Sequence, residues 1–103
     1  MYRVQQSCEI KYGHFAAYLS ACEELNALCA ARGWRTSQIF TPLGGTNNRI
    51  VLETDYPSLN DFEAENTAFY ADPQAMKILG STSEMVVQGS SKTEILAPAP
   101  HLA

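Results

Sequence analysis

The hydrophobic period of this sequence switches from two to about 3.6 and back, and then does so a second time. In residues 2–10, Tyr2, Val4, Cys8 and Ile10 share one face with Gln6, while Arg3, Gln5, Ser7 and Glu9 share the other. That alternation predicts a half-buried strand. Lys11-Tyr12-Gly13 turns the chain. From His14 to Arg32 the apolar positions Phe15, Tyr18, Leu19, Cys22, Leu25 and Cys29 recur at three- and four-residue steps, which predicts a helix. Arg32 suits its negative end, and Gly33 suits the left-handed position that stops it. Strand patterning returns over Trp34–Leu43 and Arg49–Tyr56, separated by a segment dense in Gly, Asn and Thr that predicts a hairpin loop. Ser58 is placed to cap a second helix, with Asp61 three residues on as a weaker form of the capping box. Asp72-Pro73 restarts the chain as a short helix, which Gly80 is expected to end. A last strand is predicted over Glu84–Leu96, with Gly89 marking a bulge.

The order β-α-β-β-α-β is a split βαβ arrangement. It predicts a ferredoxin-like α+β fold, a four-stranded antiparallel sheet with the helices on one face. A chain of 103 residues supplies one domain, taken as residues 1–96 with a loose tail over 97–103. A formal charge of −4 without a Lys/Arg cluster argues against nucleic acid as a partner. The N-terminal segment lacks the pattern of a signal peptide, and no stretch approaches the roughly 20 apolar residues of a membrane span. A cytoplasmic location, away from membranes, is expected. The three cysteines fit that expectation as buried, reduced thiols. Cys22 and Cys29 lie seven residues apart, about 10 Å by helical rise, too far to share a disulfide or a metal.

Aligning the strands sorts their side chains into two layers. The helix-facing layer is expected to hold Tyr2, Val4, Gln6, Cys8, Trp34, Thr36, Gln38, Phe40, Ile50, Leu52, Thr54 and Tyr56. The other layer is expected to hold Arg3, Gln5, Ser7, Glu9, Arg35, Ser37, Ile39, Arg49, Val51, Glu53 and Asp55. This second face lacks the aromatics of an RNA-binding sheet, which leaves a solvated surface or the seam of a homodimer. The first face is too polar for a plain core. Helical projection puts Asn26 and Asn66 near the middle of the two apolar stripes, opposite Gln6 and Gln38. Buried amides need partners. Either these bond to one another or to backbone, or helices and sheet enclose a ligand pocket walled by Tyr18, Trp34, Tyr56, Phe69 and Tyr70.

The run LETDYPSLNDFEAENTAFYADPQAMKIL resembles NIPSNAP-type and antibiotic-biosynthesis-monooxygenase-type proteins: Glu53 late in a strand, then Tyr56, Ser58-Leu59 opening a helix, and a break at Asp72-Pro73. The segment GHFAAYLSACEELNAL resembles their opening helix. The resemblance implies the dimeric α/β-barrel superfamily, pairing through the polar sheet face. It also implies a cofactor-independent enzyme, monooxygenase- or cyclase-like, acting on a small aromatic or polyketide-type substrate. Several monooxygenase-type members carry a histidine on the second helix where this sequence has Glu65. Cyclase-type members place one just after the Pro of the helix break, where Gln74 and Ala75 stand. With His14 and His101 the chain's histidines, a haem ligand is poorly supplied, and neither cofactor nor metal is expected. For catalysis, Asn26, Gln38 and Asn66 would donate hydrogen bonds to an oxyanion, Tyr18 or Tyr70 would relay a proton, and His14 would serve as base. The alternative is a non-catalytic dimeric module for ligand binding or assembly. No Ser/His/Asp constellation or phosphate loop is visible, which favours it.

Overall fold

The computed structural model describes residues 1–100; His101 and the rest of the tail's end lie outside the described residues. Strand β1 (Tyr2–Glu9) leads into helix α1 (Phe15–Ala31), followed by β2 (Gln38–Phe40) and β3 (Arg49–Tyr56). Helices α2 (Leu59–Tyr70) and α3 (Pro73–Ser81) precede β4 (Lys92–Leu96). The strands form one antiparallel sheet in the order β2-β3-β1-β4. This is the ferredoxin-like α+β arrangement that the periodicity predicts.

Local chemistry sets the helix ends. The Ser58 hydroxyl accepts from the Asp61 amide at 3.1 Å and donates to the Asp61 carboxylate at 2.9 Å. The Asp72 carboxylate accepts from the amides of Gln74 and Ala75 at 2.9 and 3.0 Å, with Pro73 in the first turn. Gly33 takes φ 76° beyond α1, the left-handed conformation that an L residue resists. Gly80 does not end α3. The helix runs on to Ser81, and the hydroxyls of Ser81 and Thr82 donate to the carbonyls of Ile78 and Leu79 in its last turn.

The register corrects two expectations. Strand β2 is only three residues long, because the chain before it is tethered elsewhere. The Trp34 amide donates to the Cys29 carbonyl at 2.9 Å, and the Arg35 amide to the Glu65 carboxylate at 2.7 Å. The Asn26 side chain takes both backbone groups of Ser37, at 2.7 and 2.8 Å, as a neighbouring strand would. Period two therefore does not run through residues 34–37. Gln38 pairs with Glu53 and Phe40 with Val51, on the outer face, while Ile39 pairs with Leu52 on the helix side. Gln38 and Phe40 are thus outward, and Ser37 and Ile39 inward, the reverse of the layers expected from the sequence. Arg35 also leaves the outer layer, since its guanidinium pairs with Glu65 of α2.

The last strand is likewise shorter than expected. Met85–Val87 pairs with the chain beyond β1, through Lys11 N–H to the Met85 carbonyl and Val87 N–H to the Glu9 carbonyl. Gly89 then takes φ 82°, and the Ser90 hydroxyl accepts from the Glu9 amide before β4 begins at Lys92. The ladder is interrupted where Gly89 was expected to mark a bulge.

Buried apolar groups form two clusters. One joins α1 to α3 through Ala21, Leu28, Ala75 and Ile78. The other joins the sheet to α1 through Cys8, Ile10 and Ile50, with Phe15, Leu19 and Val86 packed around them. Helix α2 buries no residue fully. That asymmetry opens the space described next.

Candidate functional site

Between the sheet and the helices lies a cleft with two lobes that share Gln6, Cys29, Ser37, Phe69 and Tyr70. The larger lobe has a volume of about 320 Å³, at the lower end of ligand-sized cavities. Its walls come from β1 (Gln6, Cys8), α1 (Tyr18, Cys22, Leu25, Asn26), β3 (Ile50, Leu52) and the end of α2. The smaller lobe, about 110 Å³, lies between α2 and the chain entering β2, against Trp34, Tyr56, Phe62 and Asn66. Gln6 points to the helix side yet is solvent-exposed, because it opens into both lobes.

Aromatic edges hold the smaller lobe open. Trp34 meets Phe69 at 6.3 Å between ring centroids, Tyr56 meets Phe62 at 5.3 Å, and Phe69 meets Tyr70 at 5.4 Å, all edge to face. Arg35 ties the chain before β2 to α2 through its ion pair with Glu65, and its guanidinium lies 5.5 Å from the centre of the Tyr56 ring. Glu65 is thereby engaged in holding α2.

All three cysteines line the larger lobe. The Cys8 thiol donates to the Tyr18 hydroxyl at 3.3 Å, and the Cys22 sulfur stands within reach of the phenolic proton. Burial pushes the Cys22 thiol up to about 11, with neighbouring Cys8 adding to the shift. Burial also raises Cys8, and raises Cys29 with help from Glu65 and Asp72. It drives the Tyr18 phenol well above its ordinary range, reinforced by Cys8 and Cys22. Tyr56 rises for the same first reason, with Glu65 second. These thiols are held protonated and are poor nucleophiles.

Of the residues expected from the sequence, Tyr18, Asn26, Trp34, Tyr56, Asn66, Phe69 and Tyr70 all come to the cleft. Asn26, however, spends its amide on the backbone of Ser37. Asn66 and Tyr70 meet in the smaller lobe, both with solvent-exposed surface. His14 and Gln38 are not brought in. His14 is exposed at the N-terminal cap of α1, and Gln38 faces outward. Sequence reasoning missed Thr54, Glu65 and Arg35 as cleft residues, and read the cysteines as core. The cysteine placement had a signal, since Cys8, Cys22 and Cys29 all fall on helix-facing or sheet-facing positions. The Arg35–Glu65 pair had none, because it joins residues 30 positions apart. Among the described residues no group of three or more His, Cys, Asp or Glu is placed to hold a metal ion, and no helix is long and apolar enough to cross a membrane.

A sequence profile of the NIPSNAP family matches residues 6–102. Among solved structures, the chain is similar to a protein of Agrobacterium tumefaciens at 23% identity and a TM-score of 0.80, covering 96% of this chain and 94% of that one. It is similar to an uncharacterized NIPSNAP domain protein from Burkholderia xenovorans at 19% identity and TM-score 0.80, covering 96% and 95%. A provisionally named antibiotic biosynthesis monooxygenase from Nitrosomonas europaea shares 14% identity and a TM-score of 0.74, over 94% and 97%. At these identities the likeness establishes the fold. Among proteins of curated function, no sequence match was found.

Proposed function

This chain belongs to the NIPSNAP family, and from that membership and the cleft just described we propose that it binds a small aromatic or polyketide-like molecule between the helices and the sheet. The observation that carries this reading is the lobe of about 320 Å³ left between sheet and helices, walled by Tyr18, Leu25, Phe69 and Tyr70 and continuous with the Trp34 lobe. Apolar walls with a few polar groups are the ordinary form of a ligand site. Amide chemical-shift mapping with a set of aromatic fragments tests it. Shifts clustered on Trp34, Phe69 and Tyr70 are expected. Shifts scattered over the surface, or none, would sink the reading.

A second reading makes the cleft catalytic, as a cofactor-independent monooxygenase or cyclase. The shared fold with the provisionally named monooxygenase favours it, as does the meeting of Asn66 and Tyr70 at one lobe. Asn66 would donate to a developing oxyanion and Tyr70 would relay a proton. His14, exposed and outside both lobes, takes no part as base. Dioxygen uptake with a phenolic polyketide, lost in Asn66→Ala and Tyr70→Phe, is the expected outcome. Binding without uptake or product would leave the chain a binding module.

We further propose that two copies pair through the outer sheet face. The chain exposes 6864 Å², against about 5,700 Å² for an average monomer of its mass. Part of that excess is the segment after Leu96, but it is of the order that one partner contributes to a stable interface. Phe40 and Leu96 stand exposed on that face. Arg3 already pairs with Asp55 at 2.9 Å and Glu53 at 3.8 Å within the chain, so apolar contact would carry the association. Light scattering at micromolar concentration should give twice 11.3 kDa.

A further inference from the structure

The charge inventory of the cleft narrows what it can hold. In the smaller lobe the charged side chains are Arg35 and Glu65, and they neutralise each other. In the larger lobe the one charged residue is Lys92, and its register opposite Ser7 turns its side chain toward the outer face. No unpaired ionic group of the described residues therefore faces the space. What does face it is neutral and polar: the hydroxyls of Tyr18 and Tyr70, the amide of Gln6 and three thiols. An organic ion entering such a space loses hydration and meets no counter-charge, whereas an uncharged molecule loses little. The cleft's own titratable groups behave in the same way. Cys8, Cys22, Cys29, Tyr18 and Tyr56 are all displaced by burial toward their uncharged forms. Tyr18 receives the Cys8 thiol proton, and its own O–H faces the Cys22 sulfur, a weak acceptor that a ligand oxygen can displace.

We propose that the cleft selects an uncharged aromatic phenol or ketone, its oxygen accepting from Tyr18 and its rings lying along Phe69 and Tyr70, and that it rejects acids and ammonium ions built on the same rings. This rests on the ligand-binding reading above and adds the head group to it. A Michael acceptor of that class would not be captured by the thiols at neutral pH, since they are held protonated.

The test is calorimetric titration of the full chain at neutral pH with 2-naphthol, 2-naphthoate and 2-naphthylmethylammonium, which share a ring system and differ in charge. 2-Naphthol is expected to bind at least about tenfold more tightly than either ion. Tyr18→Phe should weaken 2-naphthol by about five- to tenfold while leaving the folded spectrum unchanged, and Asn66→Trp, a bulky side chain at an exposed position of the cleft rim, should weaken it too. If the acid or the amine binds as well as 2-naphthol, the selectivity is overturned and the binding cleft stands. An unchanged affinity in Tyr18→Phe overturns the placement of the oxygen. If none of the three probes binds, the cleft reading itself falls, and the selectivity with it.

Discussion

The two halves of the sheet's helix side are built differently. Under α1, Ile10 and Ile50 are fully buried and α1 closes over them. Helix α2 itself buries no residue fully, and it is held by a serine cap, one ion pair, two aromatic edges to other elements and the packing of Phe69 on the α1–α3 cluster. The first half is a core and the second is a roof. The cleft lies between the two: α1 supplies five side chains to its larger lobe, and α2 closes the smaller one.

The comparison breaks most readily in the core. Ile10→Ala should cost about 2–5 kcal/mol in urea unfolding, because that side chain is fully buried and lines neither lobe of the cleft. Phe69→Ala, in the cleft wall, should cost clearly less despite its larger side chain, since the space beside it is already empty. Equal losses would mean that α2 is as much core as α1. The two asparagines sharpen the point. Asn26→Leu strips both bonds from the Ser37 backbone and should cost about 1–3 kcal/mol. Asn66→Leu, exposed on the roof, should stay within about 0.5 kcal/mol.

Glu65→Gln loosens the roof itself. Both partners of the Arg35 pair keep some solvent contact, so a cost of about 1 kcal/mol or less is expected. Hydrogen exchange should rise along α2 and leave α1 unchanged. A separate effect appears only with pH. The Cys22 thiol ionises at about 11 in the folded chain, against an ordinary value of 9.0. The unfolded chain therefore loses this proton first, so the contribution is complete below about pH 9 and is lost as pH rises toward 11. Cys22→Ser should flatten that alkaline limb in a series of chemical unfolding curves.

Much of the fold was legible because it rests on local pattern. The alternation of Tyr2–Ile10, the extent of α1, and the caps at Ser58 and Asp72 all appear where the sequence puts them, although Ala21 and Leu28, buried against α3, fall outside the expected α1 stripe. The errors fall where a distant group competes for the backbone. Residues 34–37 read as strand, yet Asn26 and Glu65 take the amides that a strand would offer its neighbour, and the face of Gln38 turns over as a result. Likewise, seven of the nine expected site residues reached the cleft because facing follows period. His14 and Gln38 did not, because a helix cap and a shifted register obey other constraints.

By itself, then, the sequence determined the order of elements and the helix starts, since these depend on neighbours within a few residues. Only the tertiary structure decided that α2 buries no residue fully, that three thiols and Tyr18 share one space, and that Arg35 cancels Glu65 beside it. Those outcomes depend on how groups tens of positions apart divide a limited set of partners, which no local period encodes.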